Sequence, residues 1–329
     1  MTALTTELVT YPLPGAAWPE LIAFWRTEWP HTDVDWLDAL SGAHAETLTI
    51  QLALARAGGE IVGTASVYYP RADPEACCIA DVLTSPQQRG QGIAARLTEL
   101  AVASAFAAGC RVAYLGNKPT EHCVYEKVGF QRIRGAVMRR VAAGAEQAEA
   151  GWYAEGQPMG VRETVWGDLP GLAAFLAQPL ACVFTDYPRG LMSLRQADPV
   201  RCVSAFTTVW NEVAQRGGKM LTLTGGSPNR VLGFGTLTPD AGPARSHRAV
   251  LEVAAHDHYE AGATLLTDSL LREARARKLA GVLAYAAESD RTKLQVFRHA
   301  GLRSTAKLHD YARWAGAPHD VACLELLLA

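Results

Sequence analysis

The chain has 329 residues, of which 49% are hydrophobic and 19% charged, so it is long enough for two ordinary domains with full cores. Its formal net charge is −2 and its basic runs are short, so we expect no nucleic-acid partner. It shows no export signal, no run of membrane-spanning length and no C-x-x-C pair among seven cysteines, which predicts a cytoplasmic protein with no membrane contact and no metal.

The first half of the chain predicts a mixed α/β domain. Apolar periodicity predicts helices at 18–29, 35–40, 93–108 and 121–127, and strands at 8–13, 49–56, 61–69, 78–84, 111–115 and 130–141. Ala57-Gly-Gly-Glu60 is a hairpin signal between two of these strands. A segment rich in Ala, Gly and Glu then predicts a linker. We place the domain boundaries at 1–145, 146–160 for the linker, and 161–329.

The most informative motif is Gln87-Gln-Arg-Gly-Gln-Gly92, between a predicted strand and a predicted helix. Two glycines let the backbone approach a ligand, and the unpaired N–H groups of the first helical turn suit a pyrophosphate. The spacing also fits a dinucleotide fingerprint. However, Leu115-Gly-Asn117 stands where a ribose-binding acid would be, and the loop does not open the domain. A nicotinamide enzyme is therefore our third hypothesis.

The second half of the chain repeats the first at a displacement of roughly 170 residues, which indicates a duplicated domain with an insertion around 186–209. Asp81-Val82 matches Glu252-Val253, and Val124–Phe130 matches Val296–Leu302. The glycine loop becomes Tyr259–Thr264, without its arginine and one glycine, and the tyrosine after Val124 becomes a phenylalanine. We predict that the first copy binds the phosphorylated cofactor and that the second copy is degenerate.

Two signatures together resemble the GNAT superfamily of acetyl-CoA-dependent N-acetyltransferases. Gln87-x-x-Gly90-x-Gly92 resembles its pyrophosphate loop, and Val124-Tyr-Glu-Lys-Val-Gly-Phe130 resembles its closing signature. The resemblance is strong over roughly 5–141 and weak over about 160–329. It implies an α/β (α+β) protein of two tandem GNAT-like domains, each a mixed, splayed, largely antiparallel sheet flanked by helices.

The resemblance also implies where acetyl-CoA binds. The pantetheine arm would pair with the main chain around Leu83, and the phosphates would meet the amides of the glycine loop. In the family an Asn usually precedes the tyrosine by seven residues, whereas Asn117 precedes Tyr125 by eight. The cofactor-binding residues are predicted to be Val82, Leu83, Thr84, Gln87, Gln88, Arg89, Gly90, Gln91, Gly92, Ile93, Ala94 and Asn117.

Acyl transfer from a thioester to an amine needs a neutral nucleophile, a stabilised oxyanion and a proton for the departing thiolate. For direct attack by the amine, Tyr125 is the predicted acid and Asp81 the predicted base. Cys123 is better interpreted as a buried thiol than as an acylated intermediate. Alternative bases remain open: Glu121, His122 and Glu126.

The acceptor is expected to be the primary amine of a small molecule or a peptide. The acids Glu28, Asp33 and Asp35 could rim a cleft and favour a cationic acceptor, although charged turn residues more often simply face water. The chain is expected to be a monomer or a homodimer. The alternative function is a CoA-binding sensor or scaffold without turnover.

Overall fold

The computed structural model describes residues 3–30, 33–117, 124–183, 206, 210, 213, 216–240, 243–314 and 316–328. The chain forms two compact units whose boundaries interleave along the sequence. Unit 1 comprises Met1–Glu149 and Val165–Ala173, and unit 2 comprises Ala150–Thr164 and Ala174–Ala329.

Unit 1 is built on a mixed sheet of seven strands within the described residues. The strands are β1 (Leu4–Thr10), β2 (Leu48–Ala57), β3 (Glu60–Pro70), β4 (Ala76–Thr84), β5 (Val112–Gly116), β6 (Gln131–Arg134) and β7 (Val137–Val141). Their order is β1-β2-β3-β4-β5-β7-β6. Neighbouring strands are antiparallel except β4 and β5, which are parallel because a helix connects them.

The helices of unit 1 are α1 (Trp18–Arg26), α2 (Asp33–Ser41) and α3 (Ile93–Ala107). Helix α3 connects β4 to β5 and buries one apolar face, in which Leu97 is fully inaccessible. It lies very close to β3, since a Cβ placed on Gly63 would be 2.7 Å from Ile93 Cγ2. This close packing fixes the first turn of α3, and with it the loop that precedes it.

Unit 2 repeats the same architecture. Its strands are β8 (Met159–Glu163), β9 (Lys219–Gly225), β10 (Ser227–Pro239), β11 (Arg248–Ala255), β12 (Gly281–Ala287), β13 (Arg303–Trp314) and β14 (Ala317–Leu327). The sheet order is β13-β14-β12-β11-β10-β9-β8, and β11 and β12 form its parallel pair. Read from β8, this order matches unit 1 from β1, so the predicted fold class is confirmed.

The remaining helices are α4 (Ala148–Trp152), α5 (Leu169–Leu176), α6 (Glu260–Ala276) and α7 (Arg291–His299). The structure differs from the predicted linker, because 146–160 holds α4 and the first residues of β8. Trp152 and Tyr153 explain the difference, since both rings are buried and order a segment that otherwise looks featureless. The first strand is also shifted to Leu4–Thr10, because prolines 12 and 14 cannot continue its ladder.

Two further sequence predictions fall partly outside the described residues. The insertion around 186–209 lies outside them apart from Phe206, and so do residues 121–123 of the predicted helix. The described end of that helix is a 3₁₀ turn, Glu126–Val128, closed by Gly129 at φ 81°. In the part of the chain that is described, no helix is long and apolar enough to cross a membrane.

Candidate active site

The parallel strands at the centre of unit 1 separate partway along their length. Strands β4 and β5 pair over Ala76↔Val112, Cys77↔Ala113 and Cys78↔Tyr114. Strand β4 then runs on to Thr84 and β5 to Gly116, with no further pairing between them. The two strands therefore form a V-shaped gap, and among the described residues β5 pairs with no part of β4 beyond Cys78.

A bulge in β4 lies on this open stretch. The register between β3 and β4 shifts between Thr64↔Leu83 and Ser66↔Ala80, which places two β4 residues opposite one residue of β3. Asp81 is at this bulge and has φ 52°, in the left-handed region. Its carbonyl accepts a hydrogen bond of 2.7 Å from the Thr64 hydroxyl, which itself accepts one of 3.2 Å from the Trp25 indole. Such a strained residue, fixed by its neighbours, is typical of functional sites.

The half-buried Asp81 carboxylate belongs to a small polar cluster. The Tyr68 hydroxyl donates to Asp81 Oδ2 at 2.6 Å. Burial and the negative charge of Asp81 raise the pKa of both Tyr68 and Tyr11 well above 10.0. Both phenols are therefore neutral at physiological pH, and Tyr68 gives the Asp81 carboxylate an uncharged hydrogen-bond donor.

The glycine loop follows β4 directly. A 3₁₀ turn, Pro86–Gln88, leads to Gly90 at φ 81° and Gly92 at φ 75°. A Cβ placed on either glycine would meet nothing within 4 Å, so these glycines serve the backbone conformation and leave space beside the loop. Gly92 caps α3 without a side-chain hydrogen bond, and the first turn contains no acidic residue. The N–H groups of that turn are thus suited to an anion.

Side chains of the loop hold its shape and are otherwise open to solvent. Arg89 Nε donates to the Thr84 carbonyl at 3.3 Å, and Arg89 Nη2 lies 3.5 Å from Glu28 Oε2. Gln91 donates to Gln88 at 2.8 Å. The Arg89–Glu28 pair is more than half exposed on Arg89, so it contributes little to stability and could open for a phosphate.

The other arm of the gap ends at Asn117. This residue is 7% exposed, its N–H donates to the Ala136 carbonyl at 2.7 Å, and its own carbonyl accepts from Arg132 at 3.0 Å. Tyr125 is half-buried and packs edge-to-face on Phe130, with ring centroids 6.3 Å apart. Asn117 therefore lies at the end of the second arm, while Tyr125 follows it in the chain after the undescribed residues 118–123.

Apart from Asn117, the predicted cofactor residues lie along β4 and the glycine loop that follows it. The half-buried residues are Val82, Thr84, Gln88 and Ala94; the exposed ones are Gln87, Arg89, Gly90, Gln91 and Gly92; the buried ones are Leu83 and Ile93. The Thr84 hydroxyl is buried and has no hydrogen-bond partner among the described residues.

Several predicted residues are not placed beside this stretch. The candidate bases Glu121 and His122, and Cys123, lie outside the described residues, as do the side chains of Asp33 and Asp35. Glu126 is exposed.

The sequence analysis did not assign Tyr11, Ser66 or Tyr68 to the site. A signal was present, because Thr64, Ser66 and Tyr68 recur with period two on a strand that is buried along its length. Polar residues on one face of a buried strand indicate a polar site.

The order of open strand edge, bulge, glycine loop and helix defines unit 1 as an α/β domain suited to an extended, phosphate-bearing ligand. Residues 13–130 match the family model described as acetyltransferase (GNAT) family. The chain thus carries a GNAT-family acetyltransferase domain in unit 1. No curated protein matches the chain significantly.

Solved structures similar to this chain are acetyltransferases. A ribosomal-protein-alanine N-acetyltransferase from Brucella melitensis is 18% identical, with a TM-score of 0.41, over 51% of this chain and 99% of its own. An N-acetyltransferase from Staphylococcus aureus Mu50 is 18% identical, with a TM-score of 0.42, over 52% and 99%. A GNAT superfamily phosphinothricin acetyltransferase from Sinorhizobium meliloti, in complex with AcCoA, is 11% identical, with a TM-score of 0.43, over 52% and 89%.

Proposed function

We propose that unit 1 is an acetyl-CoA-dependent N-acetyltransferase that moves the acetyl group to a primary amine by direct attack. The observation that carries the proposal is the V-shaped gap between β4 and β5, which leads from Asp81 straight to the glycine loop. One continuous stretch of chain thus offers an open strand edge for an extended arm, an anion site for its phosphates and a carboxylate beside it.

The residues present fit acetyl-CoA on two counts. The loop glycines leave open space in front of uncapped helical N–H groups, where a pyrophosphate carries complementary charge. Arg89 adds a cation at the same place. The edge of β4 at Val82, Leu83 and Thr84, with which β5 does not pair, offers main-chain groups to the amides of a pantetheine arm. Acetyl-CoA would supply the activated thioester.

Asp81 is the proposed base. An amine with a pKa near that of lysine, about 10.4, reaches the site protonated and must lose a proton before it can attack. Asp81 accepts that proton directly or through water, and Tyr68 holds the carboxylate in place by donating to Oδ2. Because Tyr68 is neutral, its hydrogen bond orients the carboxylate without neutralising it.

Two further groups complete the proposed chemistry. Backbone N–H groups on the open edge near Leu83 stabilise the oxyanion that develops on the thioester carbonyl. Tyr125 donates a proton to the departing thiolate, whose pKa of about 8.5 lies below the tyrosine value of about 10, so its position contributes more than its acidity. The acceptor is the amine of a small molecule or a peptide.

The test measures acetylated amine by mass spectrometry and released CoA by a free-thiol reagent across a panel of amines and peptides. Asp81→Asn is expected to lower kcat/KM by about 10²–10⁴ with acetyl-CoA affinity retained. The matched control is Asp73→Asn, because Asp73 is also an aspartate at positive φ, 48°, but lies in the turn after β3. Tyr125→Phe is expected to retain binding and lose turnover.

Four outcomes would change the proposal. Equal activity in Asp81→Asn and Asp73→Asn would remove the base assignment, and full turnover in Tyr125→Phe would remove the acid assignment. Acetyl-CoA binding without acetylation of any amine would indicate a CoA-binding sensor or scaffold. A thermal shift with NAD(P) in place of acetyl-CoA would point to a nicotinamide enzyme.

A further inference from the structure

The gap between the parallel strands of unit 1 has a counterpart in unit 2. Strands β11 and β12 pair from Arg248↔Gly281 to Leu251↔Ala284. Strand β11 then continues to Ala255 and β12 to Ala287 without pairing to each other. The central strands of unit 2 therefore separate as those of unit 1 do.

A short piece of the chain itself crosses this second gap. The N–H of Ala181 donates to both carboxylate oxygens of Asp257, just past the end of β11, at 2.8 and 3.1 Å. Two residues later, the N–H of Val183 donates to Asp290 Oδ2 at 2.8 Å, and its carbonyl accepts from Lys293 Nζ at 2.7 Å. Asp290 caps α7, which follows β12. The main chain is thus tied to the ends of both strands.

The interior of the gap is matched to this segment. Val183 is 2% exposed and packs on Ala287 at the end of β12. Lys293, which holds the Val183 carbonyl, forms a buried ion pair with Glu252 of β11. Glu252 is the counterpart of Asp81 in the sequence repeat. In unit 1 that carboxylate accepts from a neutral phenol, whereas in unit 2 a buried ammonium neutralises it.

The segment of unit 2 that corresponds to the glycine loop of unit 1 is also unsuited to a phosphate. Gly262 has no positive φ and packs tightly, since a Cβ there would lie 2.1 Å from Leu223 Cδ2. Asp257 and Glu260 put negative charge at the N-terminus of α6, where a phosphate would be repelled. Phe297, the counterpart of Tyr125, is fully buried. Gly262 and Phe297 therefore pack in the interior of unit 2, and Asp257 binds the chain's own main chain at Ala181.

We infer that the gap of unit 2 is a peptide slot that binds the main chain of residues 181–183 of the same chain, in the place where unit 1 is proposed to admit acetyl-CoA. Each chain consequently has one acetyl-CoA site. The peptide slot stands on contacts within unit 2 alone, and only the count of acetyl-CoA sites rests on the proposed function.

Cys182 reports on the slot, because it lies between the two anchored residues. It is a free thiol, and burial raises its pKa to about 12. In native wild-type protein, alkylation of Cys182 by iodoacetamide at pH 8, followed by peptide mass spectrometry, is expected to be on the order of 10³-fold slower than in the unfolded chain. A native rate equal to the unfolded rate would overturn the slot.

Asp257→Ala tests one anchor without opening the core, because Asp257 is exposed. Removing this charge-assisted pair of hydrogen bonds is expected to speed alkylation of Cys182 about tenfold. Asp268→Ala, an exposed aspartate on α6, is the matched control and is expected to leave the rate unchanged. Equal rates in the two variants would contradict the anchoring.

Calorimetric titration with acetyl-CoA tests the number of sites. Wild type is expected to bind one equivalent per chain and Gly90→Glu none. Two equivalents in wild type, or one retained in Gly90→Glu, would overturn the single site. No binding in wild type together with slow alkylation of Cys182 would refute the proposed function and support the peptide slot.

Discussion

The buried ion pair between Lys293 and Glu252 makes the stability of unit 2 sensitive to one substitution. The two side chains are 3% and 4% exposed, and Lys293 also donates to the Val183 carbonyl. Lys293→Met keeps most of the aliphatic chain but leaves the Glu252 carboxylate buried without its cation. Breaking a buried pair in this way costs about 3–5 kcal/mol. At about 2–4 °C per kcal/mol for a domain of this size, the Tm falls by about 6–20 °C.

The pH dependence of this effect has a definite sign. Burial acts to lower the pKa of Lys293, but the charges of Glu252 and Asp290 outweigh it and the pKa is raised above 10.5. The stability from a raised lysine pKa is complete below the unfolded pKa of about 10.4 and is lost as pH rises through the folded value. Lys293 therefore leaves the stability of the wild-type protein unchanged between pH 5 and 8.

Lys293→Met is expected to behave differently. Without the Lys293 ammonium, the buried Glu252 favours its protonated form, so the folded variant binds a proton more readily than the unfolded chain does. Its deficit should therefore be larger at pH 8 than at pH 5.

Scanning calorimetry of wild type, Lys293→Met and the double variant Glu252→Gln/Lys293→Met at both pH values measures the effect. The double variant is expected to recover more than half of the loss, because no charge is left uncompensated in the interior. A loss under about 1 kcal/mol in Lys293→Met, within the range of ordinary point substitutions, would refute the reasoning. A double variant no more stable than the single one would do the same.

Three further predictions concern other positions. Gly63→Ala is expected to weaken acetyl-CoA binding in a titration, since its Cβ would lie 2.7 Å from Ile93 Cγ2 and displace the first turn of α3; unchanged affinity would argue against this coupling. Tyr68→Phe is expected to lower kcat/KM about 10- to 100-fold, the worth of a hydrogen bond to a charged group, with acetyl-CoA affinity unchanged; an equal fall in affinity would contradict a role through Asp81. Burial lowers the pKa of His256 from 6.5 to about 4, so the free energy of unfolding decreases as pH falls from 6.5 toward 4. In His256→Gln, the difference in this free energy between pH 7 and pH 5, measured by denaturant titration, is expected to be smaller than in wild type.

Much of the fold follows from local sequence patterns. The hairpin around Ala57–Glu60 and the helix beginning at Ile93 lie where alternation and glycine punctuation predict them, because those signals act within a few residues. The repeat predicts a second sheet of the same order for the same reason, since equivalent apolar positions persist in both halves.

The polar interior could not be predicted in this way. The contact of Tyr68 with Asp81 depends on a bulge that sets Asp81 at positive φ, which is a property of two paired strands rather than of either sequence. Lys293 and Glu252 lie 41 residues apart on a helix and a strand, and only the assembled unit brings them into contact. Sequence comparison of the two halves showed that a carboxylate persists there but not that its partner changes.

Hydrogen exchange with and without acetyl-CoA tests the central claim most directly, because one experiment examines both units. Binding is expected to slow exchange at the amides of residues 82–94, on the edge of β4 and in the glycine loop. The equivalent stretch of unit 2, residues 252–264, is expected to exchange at an unchanged rate. Unchanged exchange at 82–94, or slowing at 252–264 instead, would contradict a single acetyl-CoA site in unit 1.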